Sequence, residues 1–403
     1  MKTLAVPPVP PFPPLNPLIA ALGSSAIRDL LAVVSRPGML SLAGGLPAVD
    51  TFPAARIADV ARALLADHPE VGLQYGPTEG DDRLRAWIAG YEAERSGRPV
   101  DPSRVIVTAG SQQALDLVVR TLVRPGAAVV VEEPGYLGAL QALRAAGADL
   151  VPVPVDADGL DVDALAVRLA AGLRPVAVHT VTTFHNPSGA TLSVERRRRL
   201  AALADRYGFV VVEDDPYAEI RFGGRPMPAV RAFTDRVVTL GSFSKTVAPG
   251  LRVGWCVVPE PLLAPVARLK QAADLHAGSF SQALVVGLVS DAGWWSAHLA
   301  EIRRVYACRA AALAAALAEA FGERLVVGAA RGGMFLWGRF TDATRTRELL
   351  APALAEGVAF VPGPEFFTRP GGEDALRLSF ATNAPEQLAE AVRRLAAAHT
   401  SSS

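Results

Sequence analysis

Val237-Val-Thr-Leu-Gly-Ser-Phe-Ser-Lys-Thr-Val-Ala-Pro-Gly-Leu-Arg252 opens as an apolar, β-branched run and then breaks into Ser and Gly. Such a run predicts a buried strand. Lys245 follows between small residues, in a chain whose 40 Lys and Arg are nearly all arginine. Two hydroxyls, Ser242 and Ser244, precede it, and Arg252 closes the stretch. A lysine amine in an apolar pocket has a lowered pKa and can form a Schiff base with a carbonyl. A hydroxyl and a guanidinium nearby suit a phosphate. Together these groups describe a seat for pyridoxal phosphate. Taken alone, the same text reads equally as a surface lysine in a Gly/Pro loop.

At 403 residues the chain is long enough for two domains with a full core. Its formal net charge is zero, so no overall field favours nucleic acid or an anionic membrane. The Arg196–Arg199 run follows Ser193, a helix N-cap candidate, and reads most simply as a solvated helix face. Cys256 and Cys308 are too few for a disulfide framework, which fits a reducing cytoplasm. The six histidines show no ligand spacing with the cysteines, so no metal is expected. Near the N-terminus, Pro7 to Pro14 is too proline-dense for a signal helix and reads as a polyproline-like arm. No apolar run approaches the roughly 18 residues of a membrane span. A cytoplasmic location is therefore expected.

From about residue 103 strands and helices alternate. Val105-Ile-Val-Thr, Ala128-Val-Val-Val-Glu, Ala177 to Val181, Phe209 to Glu213, Val237 to Leu240 and Val253 to Val258 read as strands. Several are unbroken and β-branched, as buried parallel strands are, with helices such as Gln112 to Val123 and Leu137 to Ala146 covering both faces. After about 291 a long Ala-rich helix leads into mixed strands and helices, which suggests a smaller α+β domain. The expected organisation is an arm and part of the small domain in 1–50, a large cofactor-binding domain in 51–290, and a small C-terminal domain in 291–403. A helical pattern within 15–36 and the Gly44-Gly45 turn belong to the first part.

Four motifs fall where a parallel sheet would bring them to its carboxyl edge. Thr108-Ala-Gly-Ser-Gln-Gln113 joins a strand to a helix, so Ser111 and Gln112 could cradle a phosphate; a plain Ser N-cap is the simpler alternative. Tyr136, in Glu132-Glu-Pro-Gly-Tyr136, could stack on a flat ring or merely cover core. Asn186, in His185-Asn-Pro-Ser-Gly189, could donate to a ring oxygen, although Asn-Pro is a common turn. His179 and His185 flank that motif and are given structural roles. Val210-Val-Val-Glu-Asp-Asp-Pro-Tyr217 ends a strand in carboxylates. An aspartate there would keep a pyridine nitrogen protonated and make the ring an electron sink. Asp214 and Tyr217 are spaced so that the acid reaches the nitrogen and the phenol the ring oxygen.

With these motifs in order, the chain resembles a fold type I pyridoxal-phosphate aminotransferase of class I, in the α-aminoadipate aminotransferase branch. The matching text includes Ala43-Gly-Gly-Leu-Pro, Gln74-Tyr-Gly-Pro-Thr-Glu-Gly, Gly110-Ser-Gln-Gln, Asn186-Pro-Ser-Gly, Glu213-Asp-Asp-Pro-Tyr, Gly241-Ser-Phe-Ser-Lys, Ala248-Pro-Gly-Leu-Arg and Leu376-Arg-Leu-Ser. The likeness runs from about residue 24 to near the end. It implies an α/β fold with a mostly parallel central sheet sandwiched by helices, plus the smaller domain. It implies Lys245 as Schiff-base lysine and proton shuttle, Asp214 on the pyridine nitrogen, Tyr217 and Asn186 on the ring oxygen, and Tyr136 on the ring face. Ser111, Gln112, Ser242 and Arg252 would take the phosphate, with Tyr75 reaching it from the neighbouring subunit of a homodimer. Arg377 would clamp the substrate carboxylate and Gly45 would lie against the substrate. Arg28 would receive an acidic side chain. Residues 1–23 do not match the family pattern.

The expected reaction moves the α-amino group of an amino acid to a 2-oxo acid, with 2-oxoglutarate as the default acceptor. Donors consistent with the resemblance are 2-aminoadipate, glutamate, and branched or aromatic amino acids. The same scaffold supports other outcomes, among them elimination, decarboxylation, racemisation and oxidation. A winged-helix regulator carrying such a domain would need roughly 70–100 further N-terminal residues, on domain-size grounds. A cofactor-free binding protein is disfavoured by the full set of site residues.

Overall fold

Uninterrupted β-branched runs cannot bury themselves alone, and here they assemble one large sheet. The computed structural model describes residues 13–20, 22–23 and 38–402. The proline arm up to residue 12 and most of the 15–36 pattern, including Arg28, lie outside the described residues. The large sheet comprises β2 (Val105–Thr108), β3 (Ala128–Glu133), β4 (Asp149–Asp156), β5 (Gly159–Leu160), β6 (Ala177–Val181), β7 (Val210–Asp214), β8 (Val237–Ser242) and β9 (Gly254–Val257). Its order is β2-β9-β8-β7-β6-β3-β4-β5. The pairs from β8 through β7, β6 and β3 to β4 are all parallel.

One strand runs against expectation. Its sequence groups Val253–Val258 with the parallel strands, yet β9 is antiparallel to both β2 and β8. Its burial pattern, all four residues buried, is the same for either direction, so apolarity alone could not tell them apart.

Alternation along the strands splits the core in two. Val129, Val131, Val212 and Val238 pack on one face beneath the helices Ser111–Leu122, Leu137–Ala145 and Glu260–Asp274. Val130, Val178, Val211 and Val237 pack on the other beneath Val162–Ala170 and Val194–Tyr207. Burial on both faces is why these strands read as continuous apolar runs.

The Arg196–Arg199 run also departs from expectation. Ser193 does cap the helix, its Oγ accepting the Arg196 N–H at 3.3 Å. Arg197, however, is fully buried and not a solvated residue. It donates to the Leu192 and Thr182 carbonyls at 2.8 and 2.7 Å and faces Glu213 at 3.4 Å.

A second sheet, β10 (Leu325–Val327), β11 (Phe335–Phe340), β13 (Val361–Pro362) and β14 (Ala375–Ser379), is antiparallel in the order β10-β11-β14-β13. Beside it β1 (Leu40–Ser41) pairs in parallel with β12 (Val358–Ala359), which brings the segment after residue 38 against this sheet. The helical stretch Ala292–Arg324 is long and apolar enough, by length and composition alone, to cross a membrane, and the helix Ala292–Phe321 makes up most of it. It packs Leu299, Ile302, Tyr306, Leu313 and Leu317 in buried positions. Its Arg309 donates to Asp50 at 2.7 Å and to the Ala381 carbonyl at 2.5 Å.

Candidate active site

The parallel topology sends the carboxyl ends of β3, β6, β7 and β8 to one side, and the loops after them line a cleft of about 260 Å³. Lys245 lies just beyond β8, and its Nζ donates to the Gly45 carbonyl at 2.9 Å. Burial, with Arg377 and Arg252 nearby, pulls its pKa from 10.5 down to about 8. An amine so placed is partly neutral near physiological pH and can bond to a carbonyl carbon.

One end of the cleft is an anion cradle. Ser111 and Gln112 begin the helix Ser111–Leu122, whose first N–H groups lack intrahelical acceptors. Gly110 precedes them with φ 95°, and a Cβ there would lie 2.6 Å from the Arg252 guanidinium. A Cβ at Gly254 would likewise meet the Ser111 nitrogen at 2.6 Å. Two bare glycines thus let β9, the helix start and Arg252 close on the same space. Arg252 itself holds a left-handed φ of 53° and donates to the Ala109 carbonyl at 2.7 Å. Ser242 and Ser244 share a hydroxyl–hydroxyl bond of 2.9 Å on the cradle's wall.

In the middle of the cleft Asp214 ends β7, almost fully buried, and its Oδ1 has no hydrogen-bond partner among the described residues. The other oxygen lies 3.6 Å from His179 Nε2. A buried carboxylate oxygen left without a donor is costly, so this atom is a receptor for one. Tyr217 and Asn186 line the cleft beside it. The Tyr136 hydroxyl donates to Gln112 Oε1 at 3.2 Å. Burial pushes the Tyr136 phenol up to about 12 and raises that of Tyr217 as well, so both keep their protons.

Across the cleft Arg377, on β14, is buried with its guanidinium 4.2 Å from the Phe335 ring centre and 5.1 Å from that of Phe366. It donates to Asn186 Oδ1 at 2.8 Å and to the Ala43 carbonyl at 2.5 Å. Its Nε has no partner among the described residues, and burial lowers its pKa to about 10. A desolvated guanidinium with donors to spare is built to receive a carboxylate.

The cleft therefore brings together Gly45, Ser111, Gln112, Tyr136, Asn186, Asp214, Tyr217, Ser242, Lys245, Arg252 and Arg377. Tyr75 does not line it; that side chain is 79% exposed and packs T-shaped with His276. Arg28 lies outside the described residues. Three contributors do not stand out in the sequence. Gly110 belongs to the Gly110-Ser-Gln-Gln motif without a role of its own there, and Phe335 looks like an ordinary strand residue. His179 is assigned only a structural role there, although a histidine inside an apolar strand one ladder away from Asp214 is a usable signal.

Pyridoxal phosphate fits these groups: an amine for its aldehyde, a carboxylate with one unpartnered oxygen for its ring nitrogen, and a glycine-lined cradle with a guanidinium for its phosphate. Such a cleft on a mostly parallel sheet defines a fold type I pyridoxal-phosphate enzyme. The chain belongs to the aminotransferase class I and II family, whose model matches residues 37–395. It is a pyridoxal-phosphate-dependent aminotransferase of the α-aminoadipate branch. It is 41% identical over 377 residues to a 2-aminoadipate transaminase of Thermus thermophilus, covering 92% of this chain and 93% of the relative. It is 38% identical to aromatic-amino-acid aminotransferase 1 of Thermococcus litoralis, covering 93% and 91%. The crystal structure of an α-aminoadipate aminotransferase from Thermus thermophilus, complexed with N-(5'-phosphopyridoxyl)-L-leucine, matches with a TM-score of 0.88 at 39% identity, covering 96% and 97%.

Proposed function

We propose that the enzyme exchanges the amino group of a 2-amino acid with 2-oxoglutarate, with Lys245 moving the α-proton and Arg377 holding the α-carboxylate. The observation that carries this is the shared cleft of Lys245, Asp214 and Arg377, with an amine, a carboxylate that has one unpartnered oxygen and a guanidinium that has one unpartnered nitrogen among the described residues. When bound, the cofactor supplies an electron sink for the electrons left at the substrate's α-carbon. Asp214, with its unpartnered Oδ1 in the cleft, would keep the ring nitrogen protonated. Arg377 grips the carboxylate through two donors and so orients the α-hydrogen toward Lys245. Lys245 Nζ, its pKa near 8, takes that proton and later returns it. Tyr217 and Asn186 would hold the ring oxygen, Tyr136 would cover the ring, and Ser111, Gln112, Ser242 and Arg252 would hold the phosphate.

The donor range is read as broad, covering 2-aminoadipate, glutamate, and branched or aromatic amino acids. The named activities of the two curated relatives, one on aminoadipate and one on aromatic amino acids, support that range. Arg28 is proposed to receive an acidic side chain and Gly45 to lie against the substrate. Arg28→Ala should lose activity on glutamate and keep it on leucine; equal loss on both would defeat that role. The active unit is proposed to be a cytoplasmic homodimer in which Tyr75 reaches the neighbouring site. Its exposed ring, beside the exposed Leu73, supports the dimer, and two free cysteines fit the cytoplasmic location. A transamination screen with 2-oxoglutarate, following glutamate formation from each amino acid, tests the proposal. Release of ammonia or carbon dioxide without glutamate would contradict it.

A further inference from the structure

Lys270 is one of three lysines in the chain and is completely buried. It sits on the helix Glu260–Asp274, outside the lining of the cleft. Burial disfavours its charge, and Asp274, one turn further on, offsets this with both carboxylate oxygens at 2.6 Å. The third bond of the ammonium goes elsewhere, to Gln113 Oε1 at 3.1 Å. That oxygen also accepts the Ala109 N–H at 2.8 Å, while Gln113 Nε2 donates to Asp274 at 2.8 Å.

These bonds fix which way round the Gln113 amide stands. Its oxygen serves two donors, and its NH₂ serves the carboxylate. With the ammonium gone, the Gln113 oxygen loses one of its two donors and the Asp274 carboxylate that holds the NH₂ loses its countercharge, so the amide that receives the Ala109 N–H is held less firmly. The Ala109 carbonyl, on the next peptide unit, is held by Arg252 at 2.7 Å. Lys270 and Arg252 thus hold successive peptide units just before Gly110 and Ser111, where the cradle's N–H groups begin.

We propose that Lys270, acting through Gln113, is a positioning residue for the phosphate cradle and so sets the affinity of the cleft for a phosphate monoester. This rests on the reading that the Ser111–Arg252 end of the cleft takes the cofactor's phosphate. The test compares equilibrium binding of pyridoxal phosphate and of pyridoxal, which lacks the phosphate, to the full-length chain. Lys270→Met should weaken pyridoxal phosphate on the order of tenfold, the worth of a charge-assisted hydrogen bond, and leave pyridoxal unchanged. Gln113→Met should do the same, and it carries the test if Lys270→Met fails to fold. An equal loss for both ligands would mark Lys270 as a merely structural residue, and no loss for either would overturn the proposal outright. Arg252→Gln serves as the reference. If it weakens pyridoxal phosphate selectively and the Lys270 and Gln113 variants do not, only the role of Lys270 falls. If wild type binds both ligands equally, the cradle reading falls and this proposal with it.

Discussion

The Lys245 amine and the Gly45 carbonyl, 200 residues apart in sequence, meet at 2.9 Å. The loop after β8 and the segment that packs on the smaller sheet are thereby joined at the reacting nitrogen. Gly45 has no room for a side chain, because a Cβ would lie 2.8 Å from Phe335 Cζ. That ring also lies under the Arg377 guanidinium. Gly45→Ala should therefore displace Phe335 and Arg377 together. The expected result is a fall in kcat/KM on the order of tenfold with the cofactor retained, measured by steady-state kinetics alongside the visible spectrum.

The depressed pKa of Lys245 gives a signed pH dependence. The ammonium cannot attack a carbonyl, so the rate at which the cofactor-free protein takes up pyridoxal phosphate should rise with pH and level off above about 8. A rate still climbing through about pH 10, the range of an ordinary lysine, would show that burial does not perturb this amine. Rapid-mixing absorbance over a pH series makes the measurement.

Asp214 offers one unpartnered oxygen to the cleft and turns the other toward His179. Asp214→Ala should still bind the cofactor but slow deuterium exchange at the substrate α-carbon by at least about 100-fold, as expected when the electron sink is weakened. Proton NMR of the amino acid in deuterated buffer reads this directly. Unchanged exchange would remove Asp214 from that role.

Away from the chemistry, Arg197 holds the ends of β6 and β7 from behind through Thr182 and Glu213. Arg197→Met leaves the buried Glu213 without its guanidinium. A loss of about 3–5 kcal/mol is expected, the range for breaking a buried pair. Denaturant unfolding at fixed cofactor concentration checks it, and a change below about 1 kcal/mol would mean that the pair contributes little.

The sheet is legible in the sequence because strands buried on both faces are written as unbroken Val-rich runs, and because each chemical motif follows such a run directly. Direction is not legible, since β9 buries its residues as a parallel strand would. Nor does β4 read as a strand, because Pro152 and Pro154 break the usual strand signature, and its outer neighbour is only the two-residue β5. Arg197 and Lys270 show the other limit. Charged residues on helices read as solvated faces, and their burial depends on carbonyls and carboxylates contributed by distant elements. Phe335 escapes notice for a similar reason. Its part in the cleft comes from packing against Gly45 and Arg377, neither of them a sequence neighbour.

The covalent attachment of the cofactor to Lys245 is the centre of the account. Borohydride reduction of the purified holoenzyme, followed by peptide mass spectrometry, reads it directly. The account predicts a phosphopyridoxyl group on the peptide that contains Lys245, and none on Lys2 or Lys270. Label on another lysine, or a reduced protein with none, would contradict it.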